Sequence, residues 1–339
     1  MKRFAALLML LALAAVGCGS EPAKQEQPAP QAEAAAPQAE AAAPQAAVPV
    51  ISITQIVEHP ALNAMQQGVM DRLAELGVAA AYNVHIAQGD MAINEQIASQ
   101  IKGEAPNLVV AITTPSVIAV AQKIKDIPIV FTGVTDPVAA KVVASLEAPG
   151  GNVTGMTDMS PMDKHVALIR EFLPEIKTLG VIYNAGETNS VVLVDALKAE
   201  CAKFGIAVRE APVDNSSGVT QAAQSLVGRA DAAYVPVDNT VVSALESAIK
   251  VCTEAGLPLF AGDVDSVSRG SIAAVAIDYY KMGLQTGDIA KRLLDGADPA
   301  TTPVESIRDL SLHVNPAAAA AMGIEVPASV LERADKIVE

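Results

Sequence analysis

The chain has 339 residues, is 51% hydrophobic, carries 18% charged residues and only 3% aromatic ones, and has a net charge of −15. That length leaves room for one large domain or two ordinary ones. The acidic balance argues against nucleic acid and against a flat association with an anionic bilayer.

"MKRF" opens the chain with Lys2 and Arg3, and "AALLMLLALAAV" follows as an apolar run too short for a stable membrane span. Small residues and Cys18 come next. This is the order of a secretory signal, and "AVGC" has the form of a bacterial lipobox with Ala15 where Leu is usual. Residues 1–17 are therefore expected to be removed and Cys18 lipidated. Residues 18–48 hold the repeated unit "APQAEAA", with, Pro aside, no apolar residue larger than Ala before Val48 in "EPAKQEQPAPQAEAAAPQAEAAAPQAAVP". Such a segment cannot bury enough surface to offset its ordering entropy, and its recurring Pro forbids a coiled coil, so it reads as a tether.

From residue 49 the pattern alternates. "VPVISITQIV" reads as a strand. "PALNAMQQGVMDRLAELG" has Leu62, Met65, Val69, Leu73 and Leu76 on one stripe and stops at Gly77, which predicts a helix. "NLVVAITT" predicts a strand, "PSVIAVAQKIK" a helix, "IPIVFTGV" a strand, "VTGMTDM" an extended segment and "PMDKHVALIREFL" a helix. The cycle then restarts with "TLGVIY" as strand, "VVLVDALKAECAKFG" as helix, "IAVREAPV" as strand, "SSGVTQAAQSLVG" as helix and "DAAYVPV" as strand. "NTVVSALESAIKVCTEAG" predicts one helix, "LPLFAG" and "SIAAVAI" strands, and "DYYKMGLQTGDIAKRLLDG" a helix. Short apolar strands between amphipathic helices predict parallel sheets covered on both faces. The count passes eight strands and divides near 157, which favours two doubly wound α/β lobes over a TIM barrel.

In such sheets ligands bind beyond the carboxyl ends of the strands. The polar residues there are Glu58 and His59 in "IVEHPALN", Thr113, Thr114 and Ser116 in "ITTPS", Thr135 and Asp136 in "GVTDP", Asn184, Glu187, Asn189 and Ser190 in "NAGETNS", Asp238 and Asn239 in "PVDNT", and Asp263 in "AGDVDS". Each alone could be a helix cap or a turn residue. Six strand ends with the same character predict a polar ring around something small. No phosphate loop, dinucleotide fingerprint or nucleophile elbow is present, and the four histidines are scattered without ligand spacing, so neither cofactor nor metal is expected. Cys201 and Cys252 fall on apolar helical stripes and read as buried thiols, a disulfide between them being the lesser option. This leaves an exported racemase-like enzyme using two thiols as the runner-up, and a sugar receptor as a further alternative.

The phrases "EHPALN", "ITTPS", "IPIVFTGVTDP", "PGGNVTGMTD", "LPEIKTLGVIYNAGETNS", "DAAYVPVDNTV", "RGSIAAVAIDYYKMGLQTGDIAKRLLDG" and "MGIEVP" occur in family order over about residues 50–331. In them the chain resembles an ABC-transporter substrate-binding protein of the tryptophan/tyrosine-binding kind, within the type I periplasmic-binding fold. Asn63 stands where an Asp is commoner. The resemblance implies a monomeric receptor without catalysis, which takes a small molecule, most often an aromatic amino acid, and delivers it to a permease with its ATPase subunits. An amino acid's carboxylate would suit Thr113, Thr114 and Ser116 at a helix start, and its ammonium Asp136, Asp238 or Asp263, with Glu187 behind them. Phe131, Tyr183 and Phe260 are the candidate aromatic walls. The fold implies three crossings between lobes, placed near 157–159, 277–278 and 300–302. Lobe one is then 49–157 with 278–299, and lobe two 158–277 with 300–339.

Overall fold

The computed structural model describes residues 48–307 and 309–338. The signal segment, the tether and Cys18 lie outside them. The chain begins with β1 (Val50–Gln55), α1 (Pro60–Glu75), β2 (Ala81–Ile86), α2 (Met91–Glu104), β3 (Leu108–Ile112), α3 (Thr114–Lys123), β4 (Ile129–Val134) and β5 (Val153–Thr157). It then crosses to α4 (Met162–Phe172), β6 (Thr178–Asn184), α5 (Thr188–Ala202), β7 (Ala207–Val213), α6 (Val219–Leu226), β8 (Ala232–Val235), α7 (Asn239–Ser243), α8 (Leu245–Ala255), β9 (Leu259–Ala261), α9 (Asp265–Arg269) and β10 (Ala273–Ala276). It returns as α10 (Tyr279–Leu294) and β11 (Glu305–Ser306), and ends with β12 (Ser311–Val314), α11 (Pro316–Ala321), α12 (Ala328–Glu332) and β13 (Lys336–Ile337).

The first lobe is an open parallel sheet in the order β11-β5-β4-β3-β1-β2; the second has a parallel sheet β7-β6-β8-β9, with β10-β12-β13 as a small mixed sheet beside it. Neither closes into a barrel. Ile51, Ile53, Val109, Val110, Val130 and Phe131 are fully buried in the first sheet, and Leu179, Val181, Ile182, Ala233 and Val235 nearly so in the second. Helices on both faces explain why these strands read as continuous apolar runs.

Two expectations are corrected. The third crossing lies between Ser306 and Ser311, not near 300–302: β11 pairs in parallel with β5, and the Gly150 N–H donates to the Ala300 carbonyl, so 300–306 belong to lobe one. A two-residue edge strand has too few residues to show a period. The helix expected from "NTVVSALESAIKVCTEAG" is broken at Ala244, where φ is −123° and ψ 27°, into α7 and α8. The stretch 78–106, to which no element was assigned, holds β2 and α2, the latter capped by Asp90 accepting from the N–H groups of Ala92 (2.7 Å) and Ile93 (3.0 Å).

One helix contact fixes the cavity wall described below. A Cβ on Gly283 of α10 would overlap the Met65 carbonyl oxygen of α1, and one on Gly68 of α1 would overlap the Tyr280 carbonyl oxygen. The two backbones touch because neither glycine has a side chain, and this places Leu62 and Met65 beside Tyr279.

Candidate functional site

A small cavity of about 20 Å3 sits between the lobes. Lobe one contributes His59, Leu62 and Met65 of the α1 start, Thr113, Gly133, Thr135, Asp158 and Tyr279; lobe two contributes Asn189, Val237, Asp238, Asn239, Val242 and Asp263. Of the expected residues, His59, Thr113, Thr135, Asn189, Asp238, Asn239 and Asp263 therefore meet there. Glu58 is exposed and points elsewhere. Thr114 and Ser116 are buried but do not line the cavity. Asp136 accepts from the N–H groups of Val138 (3.0 Å) and Ala139 (2.9 Å), a turn that starts at Asp-Pro.

Asn184, Glu187 and Ser190 form a latch outside the cavity. Glu187 accepts from the Thr240 N–H (2.9 Å) and hydroxyl (2.7 Å), and from the Asn239 N–H (3.2 Å) and side-chain amide (2.6 Å). Asp238 accepts from the Asn184 N–H (2.6 Å), the Ser190 hydroxyl (2.6 Å) and the Val241 N–H (2.7 Å). The polar run "NAGETNS" thus stitches the β6–α5 loop to the β8–α7 loop. These partners predict that Asp238→Ala lowers unfolding stability by about 1–3 kcal/mol, through the lost cap and stranded donors, read as a shifted denaturant midpoint with unchanged slope. An unchanged midpoint would show that the latch carries no stability.

The expected aromatic walls are core. Phe260 packs edge-on against Phe172 at a centroid distance of 5.2 Å, Phe131 is fully buried, and the Tyr183 hydroxyl is bonded to Glu210. Strand aromatics faced inward because both sheets are covered. Tyr279 is the aromatic ring that lines the cavity, just past the second crossing. Cys201 and Cys252 are buried free thiols away from the cavity, pushed by burial up to about 11 and about 12.

Three carboxylates line the cavity, and no Lys or Arg does among the described residues. They differ in what already holds them. Asp238 is saturated, as above. Asp263 accepts from the Ser266 N–H (2.8 Å) and hydroxyl (2.6 Å). Asp158 has only two long bonds, from the Thr135 hydroxyl (3.2 Å) and the Tyr279 hydroxyl (3.4 Å). Burial raises all three, that of Asp238 with help from the Glu187 carboxylate, and Asp158 is raised to about 6. Asp158 was missed from the sequence because β5 was read only as an extended segment; the signal was its place one residue past a strand end, at the first crossing.

The helix starts sort in the same way. Asp238 and Asp263 already occupy the α7 and α9 starts. Neither α1 nor α3 has a side-chain cap, and each has Pro in its first turn. At the α3 start Thr113 adopts φ 85° and ψ 158°, a conformation that costs about 1–3 kcal/mol for a residue with a side chain, and its N–H is held at 3.0 Å by the Thr132 carbonyl. His59, at the α1 start, is lowered to about 3 by burial and then by Arg269, so it is neutral, and its Nδ1 has no partner.

Two α/β lobes meeting at a small cavity, with a weakly held buried carboxylate and the uncapped α1 start beside it, define a solute-binding protein. The ABC transporter substrate binding protein family model matches residues 50–338, and the chain belongs to that family. It is 40% identical over 269 residues to a tyrosine-binding protein of Clostridioides difficile, spanning 78% of each chain. Among solved structures it is similar to an ABC domain in complex with L-Trp from Streptococcus pneumoniae, at 32% identity and a TM-score of 0.83 over 86% of this chain and 99% of that one. A ligand-free, open structure of a substrate-binding protein with adhesive properties from Clostridium difficile is 39% identical, with a TM-score of 0.65 over the same 86% and 99%. The chain superposes better on the L-Trp complex than on the ligand-free, open structure, despite its lower identity to the former. Proteins of this family bind small molecules for a transporter outside the cytoplasm.

Proposed function

We propose that this protein captures a free aromatic L-amino acid, tryptophan or tyrosine first, and hands it to an ABC permease driven by its ATPase subunits. The observation that carries the reading is the division of the cavity into two charge roles. Asp158 is buried and short of donors, which suits an ammonium. The uncapped start of α1, where Ala61 and Leu62 line the cavity, offers N–H groups and the positive end of the helix dipole, which suits a carboxylate. His59 in its Nδ1–H tautomer adds one neutral donor on the same side. Only a ligand with both charges satisfies both. Leu62, Met65, Val237 and Val242 supply an apolar wall for a side chain. The ligands named for the two relatives above support the choice of an aromatic one. Among the described residues a sugar would find Tyr279 as its single phenolic or phenyl stacking ring, and a two-thiol racemase would find no thiol in the cavity.

The pH dependence of binding tests this reading. In the empty cavity burial raises Asp158 to about 6, so it is protonated below that point. A protonated acid cannot pair with an ammonium, so binding below that point must expel a proton. Affinity for L-tryptophan is then full above about pH 6 and falls roughly tenfold per pH unit below it. Asp238 and Asp263 are raised as well but are held by their own loop donors and face no ammonium in this reading, and His59 stays neutral throughout. Calorimetric titrations at pH 7.5 and 5 check this; equal affinities would remove Asp158 from the ammonium site.

The same proposal places the protein on a membrane through lipid on Cys18, with the segment to residue 48 as its tether and the binding unit monomeric. Mass spectrometry of the mature N-terminus is expected to find a diacylated or triacylated Cys18. An unmodified terminus further along the chain would refute the anchor.

A further inference from the structure

Asn189 occupies the second position of α5 and is 4% exposed. Its amide orientation is fixed by its partners. The Nδ2 donates to the Glu187 carboxylate (3.2 Å) and to the Val237 carbonyl (3.1 Å), groups that can only accept, and lies 3.2 Å from the Ser190 hydroxyl. The Oδ1 is therefore the free atom, and it is buried without a hydrogen-bond partner in a residue that lines the cavity. A buried acceptor left unpaired is costly, and the latch holds it in that state.

We propose that Asn189 is a specificity residue, whose Oδ1 accepts a hydrogen bond from the ring N–H or O–H of the ligand's side chain, so that the cavity selects tryptophan or tyrosine over phenylalanine. This rests on the amino-acid reading above. In that reading the ammonium is held by Asp158 and the carboxylate by the α1 start, both in lobe one. The side chain then projects toward lobe two, where Val237 and Val242 flank Asn189. A carboxylate is excluded from Oδ1 by repulsion between acceptors, and the ammonium is already claimed, so the side-chain donor is the group left to meet it. Glu187 acts through Asn189 as a positioning residue: it accepts a hydrogen bond from Nδ2 and so turns Oδ1 toward the cavity.

The test uses matched ligands that differ by one donor. Calorimetric titration compares L-tyrosine with L-phenylalanine, and L-tryptophan with 3-(3-benzothienyl)-L-alanine, in which sulfur replaces the ring N–H. The wild-type protein is expected to prefer the donor-bearing member of at least one pair by on the order of 10- to 100-fold. In Asn189→Leu the same pair should bind within about threefold, because the acceptor is gone while an apolar wall of similar size remains. Equal wild-type affinities in both pairs would overturn the proposal and leave the amino-acid reading standing, as would a preference that survives N189L unchanged. Binding of none of the four by the wild type would overturn both. The wild-type pairs decide the matter alone if N189L does not fold.

Discussion

Asp158→Asn is expected to weaken binding of L-tryptophan or L-tyrosine by two orders of magnitude or more. The ammonium of a bound amino acid would lose the lining carboxylate held only by long bonds, at 3.2 and 3.4 Å, and removing one partner of a buried charge pair costs about 3–5 kcal/mol. The substitution keeps the shape of the side chain. It also removes a carboxylate whose burial raises it to about 6, so the empty protein should melt at the same temperature or higher. Titration calorimetry beside a melting curve separates the two effects. Retained affinity would mean that the ammonium lies elsewhere. Lost affinity together with a large drop in melting temperature would mean that Asp158 serves the fold.

The second large effect is expected at the contact between α1 and α10. Gly283→Ala would drive a methyl group into the Met65 carbonyl and the Gly68 backbone, which cannot move without separating the two helices. Overpacking of this kind costs about 1–3 kcal/mol and sometimes more, and here the obstacle is backbone on both sides, which puts the loss at the upper end or beyond. Alanine's better helix propensity offsets only about 1 kcal/mol of it. Leu62, Met65 and Tyr279 would be displaced with the helices, so affinity should fall as well. A denaturation midpoint within error of the wild type would show that the helices have slack the close approach does not reveal.

The fold was legible where both faces of a strand are covered. "NLVVAITT" and "IPIVFTGV" are apolar without alternation because α3 packs on one side and α10 on the other, and they became β3 and β4. The edge strand β2 was not legible: only one neighbour pairs with it, and Asn83 and His85 turn to Glu104 at 3.2 Å each. For α2 the signal was present in Ile93, Ile97 and Ile101 after the Asp90 cap, at a spacing of four. In the site, strand ends led to seven of the lining residues. Strand ends alone could not separate a carboxylate that waits for a ligand from one that caps a helix, because that depends on donors supplied by another loop. Asp238 and Asp158 are alike in burial and differ in partners. Nor could they reach the apolar wall, which α1 contributes through Leu62 and Met65 only because Gly68 and Gly283 let α10 approach.

The central claim is that the cavity recognises both charges of an amino acid, and one titration series tests it most directly. L-tryptophan, tryptamine, which lacks the carboxylate, and indole-3-propionate, which lacks the ammonium, are titrated into the protein at pH 7.5 beside a panel of sugars. The zwitterion is expected to bind at least about 100-fold more tightly than either half-charged analogue, since each leaves one buried charge-recognising group unpaired, and sugars are expected not to bind. A sugar that binds while L-tryptophan and L-tyrosine do not, or an amine that binds as tightly as the amino acid, would contradict it.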